Sequence, residues 1–485
     1  MQILKQKSLK FNTILNVSKT FLSLCFPLIT FPYSSRILGP ENLGKVNFAN
    51  SIVSYFAILA SLGISTYATR EASKVKNDII KLSSLAREIL IINLISTFIS
   101  YILLAIALLF VKKLNDYKML IIICSALIIF TTLGMDWLYQ ALEEFSYITI
   151  RSLIFQIFSI FLLFTTVKTK DDYLKYASIN IIANVGANIC NFIHCRKFLV
   201  LKNLSPIRIK IHLKPIFILF ASAILSSMFT NIDNSMLGFL SNNESVGLYA
   251  AGIKLIRLIG NLFPAFFMVL YPRISYYREN NNNKKIQDIV FQAMSVLVGL
   301  SFPIMIGIFI LMKPFIFILC GNQYINAVPI ALIMIPIIFV NSFSYFMGCI
   351  LISFNKENIT FRLTMVSVII DVILNFILIS YYAAYGAALA TVIAEMFLAI
   401  TYMFYVLKKF KIKIFFRNHF TYIISSFVMG IIVYSIKTLF ILSSDLLNIF
   451  LCFLCGSISY AFLLYILKDN YFLYLLTSLK KRIFK

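Results

Sequence analysis

Charge is scarce in this chain, acidic charge most of all. Only 13% of its 485 residues are Asp, Glu, Lys or Arg, and 19 carboxylates face 44 basic residues. The three histidines all lie near span ends or in loops, which leaves no material for a His-based active site. Eight cysteines are present, but not in a ligand arrangement. Cys452 and Cys455 fall inside the last apolar run with no second ligand pair, and Cys190 and Cys195 flank the end of another. Small apolar filling explains them, so neither a metal centre nor a disulfide framework is expected. No glycine-rich loop ends in Gly-Lys-Ser/Thr, which argues against direct ATP hydrolysis. No polar stretch is long enough for a soluble domain or a linker, and no cofactor is expected.

Apolar sequence dominates instead. Hydrophobic residues make up 60% of the chain, and its mean hydropathy is +0.89. Runs of about 20 residues, each able to cross about 30 Å of hydrocarbon, recur from end to end. The expected fold is an all-α polytopic membrane protein with fourteen spans: 12–34, 46–67, 88–111, 118–138, 147–167, 173–195, 215–240, 246–271, 289–312, 326–353, 361–381, 386–407, 419–441 and 446–467. The first run lacks a small-residue cleavage site after it and reads as a retained span.

A net charge of +25 would suggest nucleic acid in a soluble protein, but its distribution here suggests topology. With the N-terminus inside, and residues near a span end counted with the adjoining loop, cytoplasmic segments hold 31 Lys and Arg and external segments 10. The remaining three, Lys19, Lys254 and Arg257, lie within spans. Arg151 counts with the cytoplasmic group. This bias predicts both termini inside and an even number of spans. The basic loops set orientation and meet anionic lipid, and no nucleic-acid partner is expected.

Repeats are common in membrane transporters. "GPENLGKVNFANSIV" (39–53) matches "NNESVGLYAAGIKLI" (242–256): Glu41 and Gly44 in one, Glu244 and Gly247 in the other, each opening a span. Arg70 and Arg273 close those spans at the same distance from their glutamates. Span 2 therefore pairs with span 8 in the same orientation, which predicts two parallel six-helix lobes (1–202 and 203–410). Two further helices and a basic tail follow (411–485). A cleft between the lobes would give a polar face somewhere to point.

A cation at the bilayer centre costs roughly 2.5–3.5 kcal/mol on insertion scales, so ionisable residues inside spans are functional candidates. Lys254 and Arg257 are three apart and share one helix face. Lys19 lies in span 1, a helix whose Pro27 and Pro32 predict a bend in its outer half. Arg36 and Lys45 flank the next external turn. Asp233 lies about 10 Å below the outer boundary and Lys254 about 12 Å, depths that allow a salt bridge between them. Arg257 sits a turn deeper, with no partner evident in the sequence. Asp371 and Glu395, each near the middle of a span, are candidates for a coupling proton or sodium ion, or for hydrogen-bonded packing carboxyls. "GMDWLYQALEEFSY" (134–147) gathers Asp136, Gln140, Glu143 and Glu144 around the only tryptophan, Trp137, which reads as an interface anchor. Fixed cations favour an anionic substrate, and the planar fork of Arg suits phosphate.

"LITFPYSSRILGPENLGKVNFANSIVSYFAILASLGISTYATREASK" (28–74), "DWLYQALEEFSYI" (136–148), "NIDNSMLGFLSNNESVGLYAAGIKLIRL" (231–258), "LYPRIS" (270–275) and "YYAAYGAALATVIAE" (381–395) resemble Wzx flippases. These are the O-antigen and polysaccharide-unit translocases of the multidrug/oligosaccharidyl-lipid/polysaccharide exporter superfamily. The resemblance runs in order over about residues 10–410, and the last two spans are generic. It implies a non-enzymatic flippase of the bacterial inner (cytoplasmic) membrane. Such a protein carries undecaprenyl-diphosphate-linked oligosaccharide from the cytoplasmic to the periplasmic leaflet by ion-coupled alternating access. Polysaccharide polymerase and chain-length regulator are the implied protein partners, for lipopolysaccharide or a related polysaccharide. Related lipid II flippases place cavity cations on spans 1, 2 and 8, which by position implies Lys19 and Arg257 or Lys254; span 2 has no interior cation here. The resemblance leaves three alternatives. One is a multidrug exporter of the same superfamily. Another is an O-antigen polymerase, which would need a long external loop. The third is a lipid II flippase.

Overall fold

The computed structural model describes residues 9–200, 205–410, 412–414, 419–439, 445–469 and 472–473, with side chains from Phe26 onward except that of Ala265. Helix is the only regular secondary structure among them. The chain clusters into two compact units, 1–247 and 248–485.

The first unit is built around one long helix, α1 (Leu9–Ser61), which packs against five others. Its backbone leaves helical geometry at Gly39 (φ 72°, ψ 173°). Glycine tolerates that φ without a Cβ clash, and Pro40 then restarts the helix where a missing N–H costs nothing. The break thus falls at Gly39, while Pro27 and Pro32, expected to bend the helix, are carried inside it. A left-handed pair, Leu62 and Gly63, turns the chain into α2 (Ile64–Val75), whose Ile64, Tyr67, Ala68 and Ala72 form the buried stripe of a helical period. Asp78 caps α3 (Ile79–Phe110), accepting from the backbone N–H groups of Ile80 and Lys81 at 3.1 Å each. Next come α4 (Lys112–Asn115), α5 (Lys118–Gly134) and α6 (Asp136–Ala141), the last two divided by Met135 at positive φ. After α7 (Phe145–Thr166), Thr169 and Asp172 form a capping box. A hydrogen bond from Lys175, then those from the backbone N–H groups of Lys168 and Thr169, hold the Asp172 carboxyl well below the usual carboxylate range. The remaining helices of this unit are α8 (Tyr173–Ile181), α9 (Asn188–His194) and α10 (Lys210–Leu240), with a π-helical turn joining α8 to α9. α3, α5, α7, α8 and α10 all pack on α1.

α11 (Asn243–Gly260) carries the chain into the second unit, which continues through α12 (Leu262–Met268), α13 (Leu270–Glu279) and α14 (Asn283–Cys320). Then follow α15 (Ala327–Met334), α16 (Ile337–Ser353) and α17 (Glu357–Phe410), the last broken at Ala383 (φ 46°, ψ −124°). α18 (His419–Leu439) and α19 (Asp445–Ile466) pack on each other and on α14.

Among the described residues, eleven helices are long and apolar enough to cross a membrane, against the fourteen spans expected. The difference has physical sources. Two of the eleven each join two apolar runs across a single broken residue, Gly39 or Ala383. The run at 173–195 is interrupted by the π-helical turn and so forms no continuous long helix.

Candidate functional site

α11 is the helix with two cations, and one of its sides is taken by packing. Gly252 lies so close to α15 that an added Cβ would stand 3.3 Å from the Ala327 carbonyl oxygen and from the Ala331 nitrogen. The Tyr249 hydroxyl bonds the Thr391 hydroxyl at 3.2 Å, and Ile256 is fully buried. Lys254 follows Gly252 by two residues, about 200° further round the helix. It therefore projects from the side opposite that packing face, and Arg257, three residues on, projects beside it. Both are half-buried, and they lie in each other's field. Each makes polar or electrostatic contacts, so neither is a bare charge.

The other candidate cations are dispersed. The Lys19 side chain lies outside the described residues. Arg36 is exposed near the end of the first half of α1. Lys45, in the second half, is held locally: Glu41 at 3.0 Å, the Asn42 side-chain oxygen at 3.0 Å, and the Tyr173 ring 5.6 Å below its ammonium.

Of the carboxylates, Asp233 is fully buried in α10 and engaged. Asp371 and Glu395 are brought close, because the two halves of α17 fold back on each other. Ser367 donates to the Ala394 carbonyl at 2.7 Å, and the Thr364 and Tyr402 hydroxyls pair at 2.8 Å. This register sets the two acids about one helical turn apart on facing segments. Both are buried, and each takes an amide donor: Asn375 donates to Asp371 at 3.2 Å and Asn341 to Glu395 at 2.9 Å.

The acidic cluster beside Trp137 resolves into ion pairs. Asp136 accepts from Arg151 at 3.1 Å and from the Asn191 amide at 2.7 Å, while Glu143 accepts from Lys76 at 2.7 Å. Arg151 also donates to the Ala187 carbonyl at 3.2 Å. Grouped with loop cations in the charge count, it is instead almost wholly buried in α7. Trp137 is likewise core and not an interface anchor: it is 4% exposed, within a cluster that includes Tyr67, Ile89 and Tyr139. Its position on the short helix α6, which packs on α2, turns it inward. Replacing Arg151 with Ala should lower stability by about 1–3 kcal/mol, because the Ala187 carbonyl and one Asp136 oxygen lose a donor. Asp136→Asn should cost less, since an amide oxygen still accepts. Thermal unfolding of the detergent-solubilised protein ranks the two, and an Arg151→Ala variant as stable as wild type would refute the bridging role.

A second buried network had no sequence signal. Glu88 accepts from the Arg208 backbone N–H at 2.7 Å and meets His212 Nε2 at 2.8 Å, while Tyr67 bonds His212 Nδ1 at 2.7 Å. With Ser83 and Ser84 accepting from the Val200 and Ser205 N–H groups at 2.9 and 3.0 Å, α3 clasps the chain that leads into α10. These residues are joined only by folding, so no spacing rule could have found them.

A sequence model described as "Polysaccharide biosynthesis protein" matches residues 9–278, and the MatE model matches 218–382. The chain is 26% identical over 376 residues to a putative O-antigen transporter of Escherichia coli (strain K12), covering 76% of this chain and 89% of that protein. Among solved structures, the lipid II flippase MurJ in an inward closed conformation aligns with a TM-score of 0.74 at 18% identity, covering 94% of this chain and 98% of that one. An outward-facing multidrug resistance MATE family transporter of the MOP superfamily aligns at 0.54 and 18% identity, covering 83% and 94%. Both alignments concern the fold.

Proposed function

Because the chain belongs to the polysaccharide biosynthesis protein family, we propose that it is a flippase for lipid-linked oligosaccharide. On this reading it moves undecaprenyl-diphosphate-linked O-antigen or related repeat units from the cytoplasmic to the periplasmic leaflet of a bacterial inner membrane. The observation that carries the reading is the pair Lys254 and Arg257, half-buried and projecting together from the side of α11 opposite its Tyr249, Gly252 and Ile256 contacts. A diphosphate bears about two negative charges, and burying it without compensation is prohibitive in hydrocarbon. Half-buried cations compensate that charge while the prenyl tail stays in lipid. The Arg fork can bind phosphate oxygens in pairs, and the Lys ammonium adds a compact charge. Arg36 and Lys45 are proposed to meet the anion at the external mouth, and Lys19 to serve the first span.

Transport here makes and breaks no covalent bond, in keeping with relatives named as transporters. We assign Asp371 and Glu395 to ion coupling, since a carboxyl buried near the middle of a span can exchange a proton or bind a sodium ion. Asp233 is a third coupling candidate, while the pairing of Asp136 with Arg151 favours a structural role. The MatE match makes multidrug export the rival reading. It is disfavoured because Lys254 and Arg257 would repel organic cations. A polymerase and a chain-length regulator are proposed to receive the translocated units.

Leaflet-resolved labelling of the lipid-linked unit tests the assignment. In a deletion strain the unit should accumulate facing the cytoplasm, and long surface polysaccharide should disappear. Normal outer-leaflet delivery in that strain, with no second flippase present, overturns it.

A further inference from the structure

The internal repeat leaves a difference between the two units where their matching helices end. In the first, Arg70 and Lys74 both pair with Glu71, at 3.0 and 2.8 Å, so the basic residues of α2 are neutralised on their own helix. In the second, Arg273 stands where Arg70 does, but the position of Glu71 is taken by Ile274, which is fully buried. Among the described residues Arg273 therefore makes no ion pair. Nor does Lys285, although Asp288 lies only three residues further along α14. Arg273 and Lys285 instead line a pocket of about 560 Å³ between α13 and α14, together with Tyr276, Tyr277, Asp288 and Gln292. That volume is within the usual range for a small-ligand site.

The helices that frame the pocket are anchored. Arg278 ties α13 to α16 by donating to the Ser353 carbonyl at 3.0 Å, with its guanidinium 5.5 Å from the Phe354 ring. Asn282 caps α14 by accepting from the Lys285 N–H at 3.1 Å. Two cations outweigh one carboxylate, and phenol and amide donors stand beside them. That combination recognises a phosphate group, and Asp288 can accept from a hydroxyl or ammonium attached to it. The approach to the pocket is apolar. Leu262, Val269 and Tyr276 recur every seven residues and are each more than half exposed, which leaves a stripe along α12 and α13 for an acyl chain.

We propose that this pocket binds the phosphodiester headgroup of a membrane phospholipid, as a site separate from the transport cations on α11. The test is native mass spectrometry of the full-length protein with added phosphatidylglycerol, against diacylglycerol as a phosphate-free control. Wild type should retain phosphatidylglycerol over diacylglycerol. Arg273→Gln and Lys285→Gln should each weaken retention about tenfold, the equivalent of one charge-assisted hydrogen bond. Lys284→Gln, which removes a neighbouring charge that does not line the pocket, should change nothing. Arg273 and Lys285 are exposed and make no ion pair, so both variants should fold, with thermal unfolding as the check. Unchanged retention in both variants, or an equal loss in Lys284→Gln, overturns the site. Saturable binding of inorganic phosphate that both variants abolish, without preference for phosphatidylglycerol over diacylglycerol, overturns the lipid and assigns the pocket to a soluble phosphate.

Discussion

Arg257→Gln is expected to abolish delivery of lipid-linked units to the outer leaflet while the protein reaches the membrane at normal abundance. The expectation follows from position. Arg257 is half-buried and lies on the side of α11 away from the Tyr249–Thr391 contact and Gly252, so neither of those contacts depends on it. Glutamine keeps a polar, hydrogen-bonding side chain at this half-buried position and adds no charge to the span, so insertion should not suffer. Transport should, because a diphosphate loses the guanidinium fork. Arg257→Lys should keep partial function, since the charge remains and only the paired geometry is lost. Lys254→Gln should be the milder of the two Gln variants, as a single ammonium offers no paired geometry. Surface polysaccharide, normalised to membrane protein level, measures all three. Full transport by the Gln variant at normal abundance would remove Arg257 from the substrate site.

The two cations could be read in the sequence because each interrupts a long apolar run, and charge inside hydrocarbon is rare enough to stand out. The helical class could be read for the same reason. Features that depend on which helix meets which could not. Trp137 has the composition of an interface anchor, but the fold turns α6 inward and buries it. Arg151 lies four residues into its expected span, where a basic residue can equally reach the headgroups. Its partner Asp136 is in the same short segment, but Asn191 arrives from α9 and Ala187 from the residue just before it. His212, one of three histidines near span ends, is buried against Glu88 and Tyr67, both distant in the chain. In α1 the sequence pointed to Pro27 and Pro32, which stay inside the helix, while the break itself falls at Gly39, whose positive φ cannot be helical.

The matched Glu-x-x-Gly turns meet each other in the fold. Gly44 and Gly247 occupy equivalent places in the two copies, as do Pro40 and Asn243. A Cβ on Gly44 would stand 1.8 Å from the Asn243 carbonyl oxygen, and one on Gly247 would stand 1.9 Å from the Pro40 carbonyl oxygen. Each copy thus supplies the glycine that the other copy's carbonyl needs, which is how small residues let helix backbones touch in membranes. Both glycines are helical, so propensity alone favours alanine at either place by about 1 kcal/mol. The contact should reverse that sign. Gly44→Ala and Gly247→Ala must each push the two helix starts apart, at a cost of about 3 kcal/mol or more. Gly307→Ala supplies the contrast, since nothing lies within 4 Å of its added Cβ, and it should be neutral or stabilising. The double variant should cost less than the sum of the singles, because the first displaced helix end has already made room for the second Cβ. Thermal unfolding in detergent resolves all four. If Gly44→Ala unfolds no earlier than Gly307→Ala, the two turns do not meet, and their likeness in sequence has no reciprocal contact behind it.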